Sequence, residues 1–311
     1  MHVALPQSSG DLIADRRFAI AQGLLGRGDL HGAADLLEQT VEVAPRFGSA
    51  WFALGELREK CGDRDGAIAA FQQVCALDAE DRLGAGLHLA RLGALPAGEM
   101  PAAYVRTLFD QYAPRFDQSL TEGLAYRGPK ILRDAVEKAC AAERRPLRFP
   151  DVLDLGCGSG LAGAAFRVYA DRLVGVDLAP GMIAAARAKH LFDRLETGDL
   201  LPFLAAEARD QRRYSLILAA DVFAYLAWLP PVLGAAARAL ASDGLVAFTV
   251  ETHTGDDVIL GDKLRYAHGA AHVRAAVAGA GLSLLALTEA SARSEAGAPV
   301  PGLVVVAKRE T

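Results

Sequence analysis

Apolar and polar positions change rhythm near residue 146. Before that point apolar residues recur every three to four positions, the spacing of helices with one buried face. The pattern also overlays on itself at a shift of 34 residues, placing Gly28 on Gly62, Asp29 on Asp63, Gly32 on Gly66, Ala33 on Ala67 and Leu37 on Phe71. This predicts two helix pairs, about 14–47 and 48–81, each turned at a Gly-Asp step, with RLGAGLHLARLGAL (82–95) as a capping helix. PAGEMP (96–101) breaks the pattern, so a helical domain is expected over 1–95 and linker helices over 96–148. Within the latter, 104–127 is amphipathic, with Leu108, Tyr112 and Phe116 on one side. From there on, short β-rich runs stand at 149–156, 172–178, 194–199, 214–221, 245–251, 282–289 and 303–310. Helical stretches separate the first five, which implies parallel strands and a doubly wound α/β sheet over 149–311. Only SARSEAGAPVPG (291–302) joins the last two, too short and too rich in Gly and Pro for a helical crossover. They are expected to be antiparallel neighbours.

The 34-residue period is that of tetratricopeptide (TPR) repeats. In the second copy Trp51, Leu54, Gly55, Ala67 and Phe71 fall where that repeat puts its large and small packing residues, while the first keeps Ala21, Ala33 and Pro45 but has Arg17 in the Trp slot. Two repeats are fewer than the ~3 of a free-standing stack, so the open end needs a cover. Solenoids form concave binding surfaces, which makes a protein partner one role for the repeats. Bracing the second domain is the other.

Composition narrows the classes. Hydrophobic residues make up 52% of the chain, but Asp221 and Pro230-Pro231 interrupt the longest apolar stretch, 214–240, before the ~20 clean residues of a membrane span. With no basic and apolar leader at the N-terminus, a cytoplasmic location is expected. A net charge of −5 carries no basic excess for nucleic acid. Cys61, Cys75, Cys140 and Cys157 form no CxxC pair and have no metal-ligand spacing. No metal and no disulfide framework are expected.

The chemistry concentrates in DVLDLGCGSG (151–160), a strand ending in an acid followed by Gly156, Gly158 and Gly160. In doubly wound folds ligands bind beyond the carboxyl ends of the strands, where this turn falls. A dinucleotide turn requires a third glycine at 161, and the chain has Leu161. Asp154 would face an anionic pyrophosphate unfavourably, whereas a cationic aminoacyl group suits it.

On these residues the stretch 104–311 resembles the class I S-adenosylmethionine-dependent methyltransferases, in the subset preceded by TPR repeats and near the trans-aconitate and quinone-biosynthesis types. The resemblance implies a seven-stranded sheet with a terminal antiparallel strand. It gives S-adenosylmethionine as cofactor, with Asp154, Gly156, Cys157 and Gly158 at its methionine end and Gly160 completing the turn. Asp177, 21 residues beyond Gly156, is assigned to the ribose; Leu178 and Met182 line the adenine, with Asp199 accepting from its amino group and the Leu200 amide donating to its ring. Ala220 and Asp221 lie beside the methionine moiety, and segment 104–127 forms a lid whose first cofactor contact is Tyr112, with Arg115 a second candidate.

Methyl transfer asks for positioning and for a base only when the acceptor is protonated. His253, His268 and Tyr266 are the candidate catalytic residues, the histidines because imidazole titrates near neutrality. Arg265, with Tyr266, either holds an anionic substrate or pairs with Glu251 or Asp262 to fix the loop. The stretch AADVF after the fourth strand lacks the acid or Asn followed by Pro-Pro and an aromatic of base and amide methyltransferases. The expectation is a small-molecule acceptor methylated at a carboxylate or hydroxyl oxygen. A protein or carrier-bound substrate brought by the repeats, or a non-catalytic partner-binding protein, are the alternatives, and an oligomer remains open.

Overall fold

The computed structural model describes residues 5–6, 8–118, 126–295 and 297–310, and the chain divides into two compact units, 1–108 and 109–311.

The first unit is helical: α1 (Leu12–Arg27), α2 (Leu30–Val43), α3 (Gly48–Lys60), α4 (Arg64–Leu77) and α5 (Ala85–Arg91). The repeated Gly-Asp step makes each turn. Gly28 and Gly62 both adopt φ +81°, a left-handed C-cap that glycine takes without steric cost. Asp29 and Asp63 then accept at 3.0 Å from the amides of Gly32 and Gly66, capping α2 and α4. Inside the second pair, a Cβ on Gly55 would stand 2.7 Å from the Phe71 ring, so only glycine lets α3 and α4 approach this closely. His88 of α5 stacks on Phe71 with centroids 4.4 Å apart and bonds Glu59 through Nδ1 at 3.0 Å. That is how α5 covers the second repeat.

Helix α6 (Ala102–Tyr112) runs across the division. Beyond it come a 3₁₀ turn (Ala113–Arg115), α7 (Phe116–Gln118) and α8 (Gly128–Ala142). The strands follow: β1 (Phe149–Leu155), β2 (Ala170–Asp177), β3 (Arg194–Thr197), β4 (Tyr214–Ala219) and β5 (Leu240–Glu251). Between them lie α9 (Leu161–Phe166), α10 (Pro180–Ala188), α11 (Leu200–Arg209) and α12 (Leu229–Ala239). After β5 come β6 (Val258–Leu260), β7 (Tyr266–His268), α13 (Ala270–Gly279), β8 (Leu282–Glu289), β9 (Ser294–Glu295), β10 (Ala298–Pro299) and β11 (Gly302–Arg309).

The main sheet is ordered β3-β2-β1-β4-β5-β11-β8, parallel through β5, with β11 antiparallel to both neighbours. This is the expected seven-stranded arrangement. Alternation along the strands builds two cores. Leu153, Val174, Ile217 and Phe248 pack with α11, α12 and α13 on one face, and Val152, Leu173, Leu218 and Ala247 pack with α8 and α9 on the other. Two small hairpins depart from expectation. The stretch around 265–268, read as a loop, is β7, which pairs with β6 and with the end of β5 at Glu251 and Ala267. The turn before β11 holds β9 and β10. Both were missed because runs of two or three residues carry no period.

Candidate active site

The glycine turn sits at the carboxyl end of β1. Asp154 pairs in register with Gly175 of β2 and Leu218 of β4, so it lies in the centre of the parallel sheet one residue from the strand's end. It is fully buried, and neither carboxylate oxygen finds a hydrogen-bond partner among the described residues. Burial raises its pKa to about 7; the nearby Gly163 amide offsets part of that rise without reaching hydrogen-bond geometry, and Asp177 adds to it. An unpaired buried carboxylate is costly. A bound cation or hydrogen-bond donor would remove that cost.

Gly156, Gly158 and Gly160 all adopt positive φ, +61°, +54° and +92°. A Cβ on Gly156 would also stand 2.6 Å from the Val222 side chain. The turn is thus bare backbone closely approached from the end of β4. Cys157 contributes its backbone, donating to Val176 O at 3.0 Å, while its thiol is buried with a pKa pushed well up by desolvation. Asp177 closes the turn from β2: its Oδ2 accepts from Gly158 N and its Oδ1 from Ala179 N, each at 2.9 Å. Burial raises its pKa against those amides. Each oxygen keeps a lone pair for a further donor.

The remaining assigned residues are spread around this centre. Leu178 is half-buried and Met182 is wholly buried in α10, with its side chain in the core. Asp199 caps α11 by accepting from Leu201 N at 2.9 Å, and Leu200 opens that helix. Ala220 is half-buried. Asp221 takes a left-handed φ of +61°, donates its amide hydrogen to Thr249 Oγ1 at 2.8 Å and accepts on Oδ2 from Arg293. Tyr112 is half-buried with the Arg115 guanidinium 5.1 Å over its ring.

The structure adds residues that spacing did not reveal. Phe116 lies 3.7 Å from the position of a Cβ on Gly158, Ser159 donates to Asp117, and Lys189 pairs with Asp117 at 2.6 Å. Asp110 accepts from Gly181 N at 2.7 Å, and Phe109 packs edge-on against Tyr225 at 5.2 Å. Within the expected lid segment, Phe116 and Asp117 thus lie against the glycine turn, and Phe109 and Asp110 against Tyr225 and the start of α10; residues 119–125 of that segment fall outside the described residues.

The candidate bases occupy three different surroundings. His268 is fully buried in β7, its Nε2 faces Phe223 O at 3.2 Å, and burial lowers its pKa to about 4. Such an imidazole rests neutral near pH 7. His253 commits both nitrogens within its own loop, Nε2 to Asp257 O at 2.9 Å and Nδ1 from Gly255 N at 3.1 Å. Tyr266 is 1% exposed, a core residue of the hairpin. For Arg265, the structure decides between the two alternatives: it is 7% exposed and pairs with Glu251 and with Glu295. No group of three or more metal-ligating side chains occurs among the described residues, and no helix is long and apolar enough to cross a membrane.

Residues 153–246 match the family described as a methyltransferase domain. The second unit carries a methyltransferase domain. The methyltransferase unit is similar in fold to magnesium protoporphyrin IX methyltransferase from Synechocystis PCC 6803, solved with bound SAM: 16% identity, 70% of this chain and 100% of that one, TM-score 0.50. A TehB-like SAM-dependent methyltransferase from Corynebacterium glutamicum is 25% identical over 66% of this chain and 98% of its own, with a TM-score of 0.44. The N-terminal region matches a TPR repeat-containing protein of Pseudomonas aeruginosa, 39% identical over 57 residues, 18% of this chain and 54% of that protein. The chain thus spans about half the length of that curated relative, and a TPR region precedes the methyltransferase unit.

Proposed function

We propose that the protein transfers a methyl group from S-adenosylmethionine to a carboxylate or hydroxyl oxygen of a small-molecule acceptor. The observation that carries the cofactor assignment is Asp154, a fully buried carboxylate with no partner at the foot of a bare glycine turn. The cofactor's ammonium group would supply the missing donor, and the amides of the turn would meet its carboxylate. Asp177 has lone pairs to accept from the ribose hydroxyls, and Leu178, Asp199 and Leu200, which follow the ends of β2 and β3, would line the adenine. When bound, this group supplies a methyl carbon already activated on a sulfonium.

The acceptor oxygen would attack that carbon in line while the carbon–sulfur bond breaks, with the electron pair leaving on sulfur. The chain's part is to bind, orient and dehydrate. Phe109 and Phe116 are placed to exclude water over the turn. A carboxylate acceptor needs no base, which agrees with His253 being occupied within its own loop and His268 being buried against Phe223 O.

Calorimetric titration with S-adenosylmethionine, S-adenosylhomocysteine and NAD tests the assignment. Micromolar binding of both adenosyl ligands, none of NAD, and loss of at least tenfold in affinity in Asp177→Ala are expected. NAD binding in place of the adenosyl ligands would overturn the reading.

A further inference from the structure

At the carboxyl ends of β4 and β5 lies a cluster of five ionisable groups, of which the sequence suggested only the pairing of Arg265 with Glu251. Arg293, 5% exposed, donates through Nη1 to Asp221, through Nη2 to Glu251 and through Nε to Glu295, the last at 3.0 Å. Arg265 reaches the same oxygens of Glu251 and Glu295. Burial works against charge on both guanidiniums, but Asp221, Glu251 and Glu295 hold them protonated. Three carboxylates against two guanidiniums leave one negative charge unneutralised.

The excess sits beside the glycine turn. Asp221 directly precedes Val222, whose side chain closes on Gly156, and the Tyr126 hydroxyl senses the charges of Asp221, Arg293 and Asp154 together. Asp221 accepts on Oδ2 from Arg293 Nη1. A left-handed corner is uncommon for a residue with a side chain, and the three-way grip of Arg293 together with the Thr249 bond to the Asp221 amide over-determines it.

We propose that Arg293 is a positioning residue: it holds Asp221 in its corner so that the surplus carboxylate of the cluster favours the positively charged sulfonium of the methyl donor over the neutral thioether left after transfer. This rests on the cofactor assignment above. The consequence is charge discrimination between donor and spent product, built from a loop between β8 and β11 that lies 72 residues from Asp221 in sequence. A guanidinium suits this place because its planar fork holds three carboxylates in one fixed geometry, whereas the donors of an ammonium rotate about a flexible stem.

Calorimetry on the full chain with S-adenosylmethionine and S-adenosylhomocysteine reads this as a ratio. Asp221→Asn should weaken the sulfonium ligand roughly tenfold and the thioether less than about twofold, since a unit charge interacts with the first alone. Glu295→Gln removes the same surplus without touching Asp221 and should move the ratio in the same direction. Arg293→Lys should do so by roughly threefold through loss of orientation. Asp177→Asn, on the ribose side, should weaken both ligands in parallel and serves as the reference. Should Asp221→Asn fail to fold, Glu295→Gln and Arg293→Lys carry the test. Parallel losses in these variants, or an unchanged ratio, would overturn the proposal while leaving the cofactor assignment standing. Failure of the wild type to bind either ligand would remove both.

Discussion

Asp154 is the residue whose chemistry conflicts most with its surroundings. Its folded pKa near 7 stands well above an ordinary carboxyl near ~3.9, so below about pH 4 the group is protonated in both folded and unfolded chains. Between that pH and about 7 the unfolded chain gives up the proton and the folded chain keeps it. Stability from this group therefore falls as pH rises, by at most roughly 4 kcal/mol. Asp154→Asn should remove that dependence and leave the ligand-free protein more stable than wild type at pH 8, seen as a higher melting temperature. The same variant should lose affinity for S-adenosylmethionine. Equal pH dependence in both proteins would contradict the burial argument. Asp154 was legible in the sequence because strand, acid and glycines are consecutive. Arg293 was not, because its partners Asp221 and Glu251 lie 72 and 42 residues away and no local spacing announces them. The burial of His268 was not legible for a related reason: three residues of strand carry no pattern that reveals it.

Among elements, legibility follows length and repetition. The seven long strands and the 34-residue helix pairs each repeat a period often enough to be read. The β6–β7 hairpin is held by pairing to the end of β5, and β9 and β10, which pair with each other, are held through Glu295 by the charged cluster rather than by their own pattern. The repeats show how a local rule becomes an element. Asp63 caps α4 through the Gly66 amide, and a Cβ on Gly66 would collide with that carboxylate at 2.0 Å. Asp63→Ala should cost about 1 kcal/mol and Asp63→Asn only a few tenths, measured by urea unfolding of the full chain. If both cost the same, the cap is not what ends the turn. Gly55→Leu should cost more, on the order of 2 kcal/mol, because the Phe71 ring has to leave its place.

Across the whole molecule, a parallel sheet is polar, and its two ends put the same chemistry to different uses. At the amino ends of β3 and β4, Glu207 is 2% exposed and accepts from Arg194 and Arg212, each at 2.6 Å, and from the Tyr214 hydroxyl. Burial alone would raise its pKa, but these donors hold it below the usual range, so its contribution is present at neutral pH and is lost on acidification below about pH 4. At the carboxyl ends lie Asp154, Asp177 and the Arg293 cluster, where buried charge is left unpaired or in excess. Ligands of doubly wound folds bind at that end, so only there does unspent electrostatic energy become binding energy. Glu207→Ala should strip a buried carboxylate from two arginines and a tyrosine and cost about 3 to 5 kcal/mol, while the affinity of the folded fraction for S-adenosylmethionine stays within about twofold. The test is urea unfolding set beside calorimetric titration at a temperature where the variant remains folded. A loss of affinity as large as that of Asp177→Ala would show that the two ends are coupled, and that the separation of stability from binding along the strands does not hold.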